Sequence, residues 1–204
     1  MGLIDYADAY RMLQRYGIRS VESRYVPTAK EAVSFSKGKP IVLKAISQKA
    51  LHKSRSGLVA LNLSSDKEIT QSYNQLTRKA QQFRPYKILA QRMVSRGTEI
   101  IIGGKIDSQF GKMILLGLGG IYVETFKDFA LRLCPITKYD AESMLRQLKS
   151  SAIVAPDKQT ASHITELLLK TSRMFMENEI TELDLNPVLI HDGTYDAVDL
   201  RIIK

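Results

Sequence analysis

The dipeptide Asp192-Gly193 constrains this chain more than any other feature, because it interrupts two runs rich in Val, Ile, Leu and Tyr between Thr181 and Arg201 (TELDLNPVLIHDGTYDAVDLR). Asp-Gly between such runs is a hairpin turn, and the turn fixes which residues face each other. A two-residue turn and a four-residue loop, His191 to Thr194, give the same register: Asn186 opposite Asp199, and Asp184 opposite Arg201. Side chains alternate along a strand, so all four project from one face. Two carboxylates and an amide oxygen then converge within about 5 to 8 Å. These are ligands for a hard cation such as Mg2+ that keeps waters and substrate phosphates, and they do not suit zinc. The competing reading is the polar outer face of a surface hairpin.

Charge distribution favours the metal. From Ala32 to Ser65 there is no Asp or Glu, while Lys37, Lys39, Lys44, Lys49, Lys53 and Arg55 fall inside. From Phe175 onward the acids Glu177, Glu179, Glu182, Asp184, Asp192, Asp196 and Asp199 face only Arg201 and Lys204. A basic lobe and an acidic, metal-competent lobe are what a Mg2+-nucleotide requires. The net charge of +9 also raises nucleic acid as a partner. Against it, Phe35 is the one stacking aromatic in the basic stretch and the chain has no Trp, so nucleic acid is the weaker expectation.

With 204 residues, 44% of them hydrophobic, the chain can bury a core as one domain or two small lobes. The single cysteine, Cys134, rules out an internal disulfide and fits a reducing compartment. No apolar run is as long as a membrane span, and MGLIDYADAYRML lacks the pattern of a signal peptide, so a cytoplasmic location and no membrane partner are expected.

In chain order, Ile4 to Tyr16 reads as an amphipathic helix ended by Gly17, and Thr28-Ala-Lys-Glu31 caps a second one running to about Lys37. Ile41 to Ile46 is a strand apolar on both faces, in which Lys44 is either an edge or snorkelling residue or a phosphate ligand on a rigid strand. The loop Ser47 to Gly57 holds His52, among Lys49, Lys53 and Arg55. That charge favours a neutral imidazole able to attack a phosphoryl group. A strand over 58–63, a capped helix from Ser65 and a strand over 86–94 follow, and Arg96-Gly97 marks a hinge. Beyond it, strands over 99–106 and 113–116 precede Gly117-Leu-Gly119-Gly120, read as a tight turn sooner than a phosphate loop, since neither P-loop nor Rossmann context is present. Ala130 to Pro135 is a strand whose Arg132 calls for an anionic partner. Helices are expected at about 140–148 and 160–176, with a loop over 150–159 between them.

The segment EIIIGGKIDSQFGKMILLGLGGIYVETFKDFALRLCP is similar to the glycine-rich core of the ATP-grasp subunit of ADP-forming acyl-CoA (acetyl-CoA) synthetases, relatives of succinyl-CoA synthetase. PIVLKA, LHKS, AQRMV, ELDLNP and AVDLRI follow that family's order over nearly the whole chain. The resemblance implies an α+β (α/β) ATP-grasp fold, one module over 1–204 whose lobes, about 20–93 and 94–204 with 1–19, grip the nucleotide between them. It implies the reaction acyl-CoA + ADP + phosphate = acid + CoA + ATP through phosphohistidine, with a separate CoA-binding subunit in a hetero-oligomer. It makes His52 a phosphate carrier, Lys44 and Arg132 phosphate ligands, and the backbone of Gln91, Arg92 and Met93 the adenine contact. Glu99 would hold the ribose, Gly119 and Gly120 would lie by the nucleotide, and Asp184, Asn186 and Asp199 would bind Mg2+. Where the family reads HKSDxGGV this chain has Arg55 and Leu58, and its FGP becomes Gly111-Lys112.

Overall fold

Helices in this protein begin where a side chain can satisfy the first free amides. In the computed structural model, which describes residues 2–47, 49, 57–94, 96–120 and 128–204, Asp5 caps α1 (Tyr6–Arg15) and Thr28 caps α2 (Ala29–Ser36). Capping boxes open α3 (Asp66–Ala80), through Ser65 and Glu68, and α4 (Lys138–Gln147), through Thr137 and Asp140. The expected loop over 150–159 is instead part helical, with a short α5 (Ser151–Val154) and then α6 (Lys158–Glu177). The cause is polar: the buried Asp128 carboxylate accepts from the backbone N–H groups of Lys149 and Ser150, both at 2.8 Å, and Asp157 accepts from Thr160 N–H, starting α6 early.

The chain forms two compact units, Val21–Val94 and Met1–Ser20 together with Ser95–Lys204. The first holds a four-stranded antiparallel sheet of β1 (Ser23–Tyr25), β2 (Ile41–Ile46), β3 (Val59–Leu63) and β4 (Lys87–Arg92), in the order β1-β4-β2-β3. Ile41, Leu43 and Ala45 of β2 pack with Ala32 and Phe35 of α2 and with Ile69, Leu76 and Ala80 of α3. Val42 and Lys44 therefore point to the opposite face.

The second unit holds a six-stranded sheet. β5 (Thr98–Asp107), β6 (Gly111–Leu118), β7 (Phe129–Leu133), β8 (Glu182–His191) and β10 (Leu200–Ile203) run in the order β10-β8-β5-β6-β7, and β9 (Thr194–Ala197) also pairs with β8. One face of this sheet is the core side, with Ile102, Ile114, Leu116, Leu183 and Leu185 all buried. Helix α6 lies so close there that a Cβ on Gly104 would sit 3.2 Å from the Phe175 ring. Lys112 fixes the end of that helix, its ammonium donating to the carbonyl of Asn178 at 2.8 Å and also to that of Phe175. This is the helix terminus where a cation is most stabilising, so the Gly111-Lys112 departure has a structural use. Among the described residues no helix is long and apolar enough to cross a membrane.

Candidate functional site

The turn at Asp192-Gly193 has both residues at positive φ, 48° and 69°, the geometry of a two-residue hairpin turn whose twist matches the flanking strands. Pairing follows from it: His191 with Thr194, Val188 with Ala197, Leu185 with Leu200 and Asp184 with Arg201. The return strand breaks at Val198-Asp199, opposite Pro187, which has no N–H to give to the ladder. The register carries through the break, since Asn186 N–H donates to the Asp199 carbonyl at 3.1 Å and Val198 N–H to that of Pro187 at 3.0 Å. With Leu183 and Leu185 buried on the core side, Asp184 and Asn186 stand on the other face. β8 is interior to the sheet, between β10 and β5, and on this face Asp184 is half-buried and Asn186 exposed.

Burial pushes the Asp184 carboxyl up to about 6; the negative charge of Asp199 adds to the rise and Arg201 opposes it. A carboxyl whose proton affinity is raised by burial and by a neighbouring carboxylate is an unfilled demand for positive charge. Among the described residues no group of three His, Cys, Asp or Glu side chains could by itself cage a metal. Asp184 and Asp199 with the Asn186 amide oxygen fit instead a Mg2+ that completes its shell with water and phosphate oxygens.

The same face continues across the sheet. Asp184 pairs with Gly103, Gly103 with Leu115, and Leu115 with Leu131. Glu99 shares this face, because Ile100 and Ile102 on either side of Ile101 are fully buried on the other. Gly119 and Gly120 close on Glu99: the Gly119 N–H meets the Glu99 carbonyl, and a Cβ on Gly119 would come within 2.9 Å of Glu99 backbone. Gly120, at φ +75°, would place a Cβ 3.1 Å from the Glu99 carboxylate. These glycines let the chain pack on an acidic side chain, and three expected site residues meet as a result.

Arg132 is not among them. It pairs with Ile114, whose row leads to Gly104 and Leu183, so it projects to the helix side, opposite to Asp184. Its guanidinium donates to Gln147 Oε1 at 3.0 Å and Ser143 Oγ at 2.9 Å of α4, and to the Leu131 carbonyl at 2.7 Å. Arg132, expected as a phosphate ligand, here ties α4 to the edge strand through neutral acceptors.

In the other unit, Lys44 is only 5% exposed on β2, which lies between β4 and β3 and is not an edge. It pairs with Leu89 of β4, while Gln91 pairs with Val42, so Lys44 and Gln91 share the face away from α2 and α3. The Gln91 amide donates to Ser23 Oγ at 3.0 Å, a side-chain role that its backbone assignment missed and that its even spacing from Leu89 could have revealed. The N–H groups of Arg92 and Met93 donate to the carbonyls of Glu22 and Pro40, both at 3.0 Å. The Arg92 side chain stacks 4.5 Å from the Phe35 ring centre and pairs with Glu22 at 3.1 Å. His52 and Arg55 lie outside the described residues. Leu58 is fully buried in the core of this unit, so that departure is one of packing.

The ATP-grasp domain family matches residues 2–203. The chain is 34% identical to the "Acetate--CoA ligase [ADP-forming] I subunit beta" of Pyrococcus furiosus over 207 residues, 96% of this chain and 89% of that one. Among solved structures it matches acetyl-coenzyme A synthetase 1 of Ca. Korarchaeum cryptofilum in complex with coenzyme A and Ca-AMPCP, with a TM-score of 0.88 and 35% identity, covering 97% of this chain and 91% of the other. The same enzyme with coenzyme A and Mg-AMPPCP, its phosphohistidine segment pointing towards the nucleotide binding site, matches at a TM-score of 0.84 and 35% identity over 98% and 92% of the two chains. With the acid-bearing hairpin and two antiparallel sheets already in place, these likenesses show that the chain belongs to the ATP-grasp family and, within it, to the ADP-forming acetate–CoA ligases.

Proposed function

We propose that this chain is the nucleotide-handling subunit of an ADP-forming acyl-CoA synthetase, a cytoplasmic ligase that works with a CoA-binding subunit to convert acyl-CoA, ADP and phosphate into acid, CoA and ATP. The observation that carries the reading is the β8–β10 register, which supports Asn186 and Asp199 as a facing pair with Asp184 alongside. Mg2+ held by these three would neutralise phosphate charge. The Korarchaeum structure with Mg-AMPPCP supports that choice of ion.

The remaining roles fall to the protein's own groups. Lys44, an ammonium on an interior strand, binds phosphate oxygens as a point charge. With the N–H groups of Arg92 and Met93 engaged, the Met93 carbonyl and the Val94 N–H are the next backbone pair for the adenine edge. Glu99, kept in place by Gly119 and Gly120, accepts from ribose hydroxyls. A His52 ring nitrogen attacks the phosphorus of the partner's phosphohistidine, so that one N–P bond forms as the partner's N–P bond breaks; the terminal oxygen of ADP then attacks, a P–O bond forms, the His52 N–P bond breaks, and the imidazole regains its lone pair.

The test is calorimetry of ADP binding to the parent chain and to Asp199→Asn, each with excess Mg2+ and with a chelator. Loss of one carboxylate from a site that depends on charge should weaken Mg2+-ADP far more than metal-free ADP. An equal loss under both conditions would remove the metal assignment.

A further inference from the structure

Arg132 and Arg201 stand on opposite faces of one sheet and differ in what their donors do. Arg132 is held by three oxygens on the helix side. Arg201 faces Asp184 across β8 and β10, on the carboxylate side. Its ion-pair partner, Glu182 Oε1, is 3.6 Å away, too far for a hydrogen bond. Its Nε is enclosed by protein atoms. Its terminal nitrogens, on a side chain that is 39% exposed, make no hydrogen bond among the described residues. A guanidinium whose reachable donors are uncommitted is placed to take an acceptor that arrives with a ligand.

Resting on the nucleotide reading above, we propose that Arg201 is the phosphate-binding arginine of this unit, its two terminal nitrogens forming a planar fork to two oxygens of the β-phosphate of ADP. The neighbours define the ligand class. A bare anion approaching Arg201 would meet Glu182, Asp184 and Asp199, three like charges on the same face. A phosphate that arrives complexed to a cation meets those carboxylates as ligands and the guanidinium as a second partner. The planar fork also explains why an arginine suits the position better than a lysine, which would offer one point charge.

The experiment is calorimetry of ADP and of AMP, each at saturating Mg2+, on the full chain and on Arg201→Gln and Arg201→Lys. AMP lacks the β-phosphate and serves as the internal reference. Arg201→Gln should weaken ADP by about ten- to a hundredfold, the worth of a charge-assisted pair, while AMP changes by less than about twofold. Arg201→Lys keeps the charge and the apolar stem, so it tests the fork even where the glutamine variant folds poorly; it should recover part of the ADP affinity and not all of it. ADP affinity unchanged in both variants, or ADP and AMP weakened alike, overturns the role of Arg201. A parent chain with no preference for ADP over AMP overturns the nucleotide-phosphate reading together with it, which distinguishes the two failures.

Discussion

Replacing Asp184 by Asn should make the metal-free protein more stable while impairing its use of Mg2+. The Asp184 carboxyl is raised from its ordinary 3.8 to about 6 by burial and by the charge of Asp199. Because the folded-state value lies above the unfolded one, the folded chain binds the extra proton between about pH 4 and 6. Its stability is therefore greatest below pH 4 and falls as pH rises through 6. At about 1.4 kcal/mol per tenfold, the rise to about 6 sets an upper bound of about 3 kcal/mol. Partial solvent access reduces this to about 1–2 kcal/mol. An asparagine of the same shape has no charge to desolvate, so at pH 7.5 with a chelator the variant should exceed the parent by that amount. In thermal denaturation this is roughly 2–8 °C for a chain of this size. At pH 4 the two should coincide, and saturating Mg2+-ADP should reverse the order at pH 7.5 by stabilising the parent. A variant less stable than the parent in chelator at pH 7.5, or a gap independent of pH, would refute the argument.

Two further outcomes follow from the site. Lys44→Met keeps most of the apolar stem of a buried strand residue, so the chain should fold while calorimetry shows ADP affinity reduced; unchanged affinity would return Lys44 to packing alone. Arg132→Gln should lower stability by about 1–2 kcal/mol through lost bonds to Ser143 and Gln147, with the ratio of ADP to AMP affinity preserved. A collapse of that ratio without loss of stability would restore a phosphate role to Arg132.

The hairpin was legible because one dipeptide fixes a register and the side-chain period of two does the rest: Asp184 between Leu183 and Leu185 can only face away from the core. Helices α2 and α3 announced their starts through capping residues. β7 was legible as a strand, and its facing was the harder part. In Phe-Ala-Leu-Arg-Leu the polarity pattern turns the large apolar residues inward, yet Phe129, Leu131 and Leu133 are 48%, 41% and 51% exposed, while Ala130 and Arg132 face the helices. Contacts made by α4, the next element in the chain, hold Arg132 on that side. β1, three residues long, carries too few side chains for a periodic signal, and it is recognisable only through its pairing with β4. The start of α6 turned on Asp157, a single capping residue in a stretch otherwise typical of a loop.

The central claim is that this chain supplies the nucleotide half of an acyl-CoA synthetase. The most direct measurement is ATP formation from acetyl-CoA, ADP, phosphate and Mg2+ by the chain mixed with a CoA-binding subunit, with each component alone and His52→Ala as controls. The account predicts ATP only when both proteins are present, with the rate strongly reduced in His52→Ala. No ATP from the mixture, under conditions where the partner alone exchanges acyl groups with CoA, would contradict it.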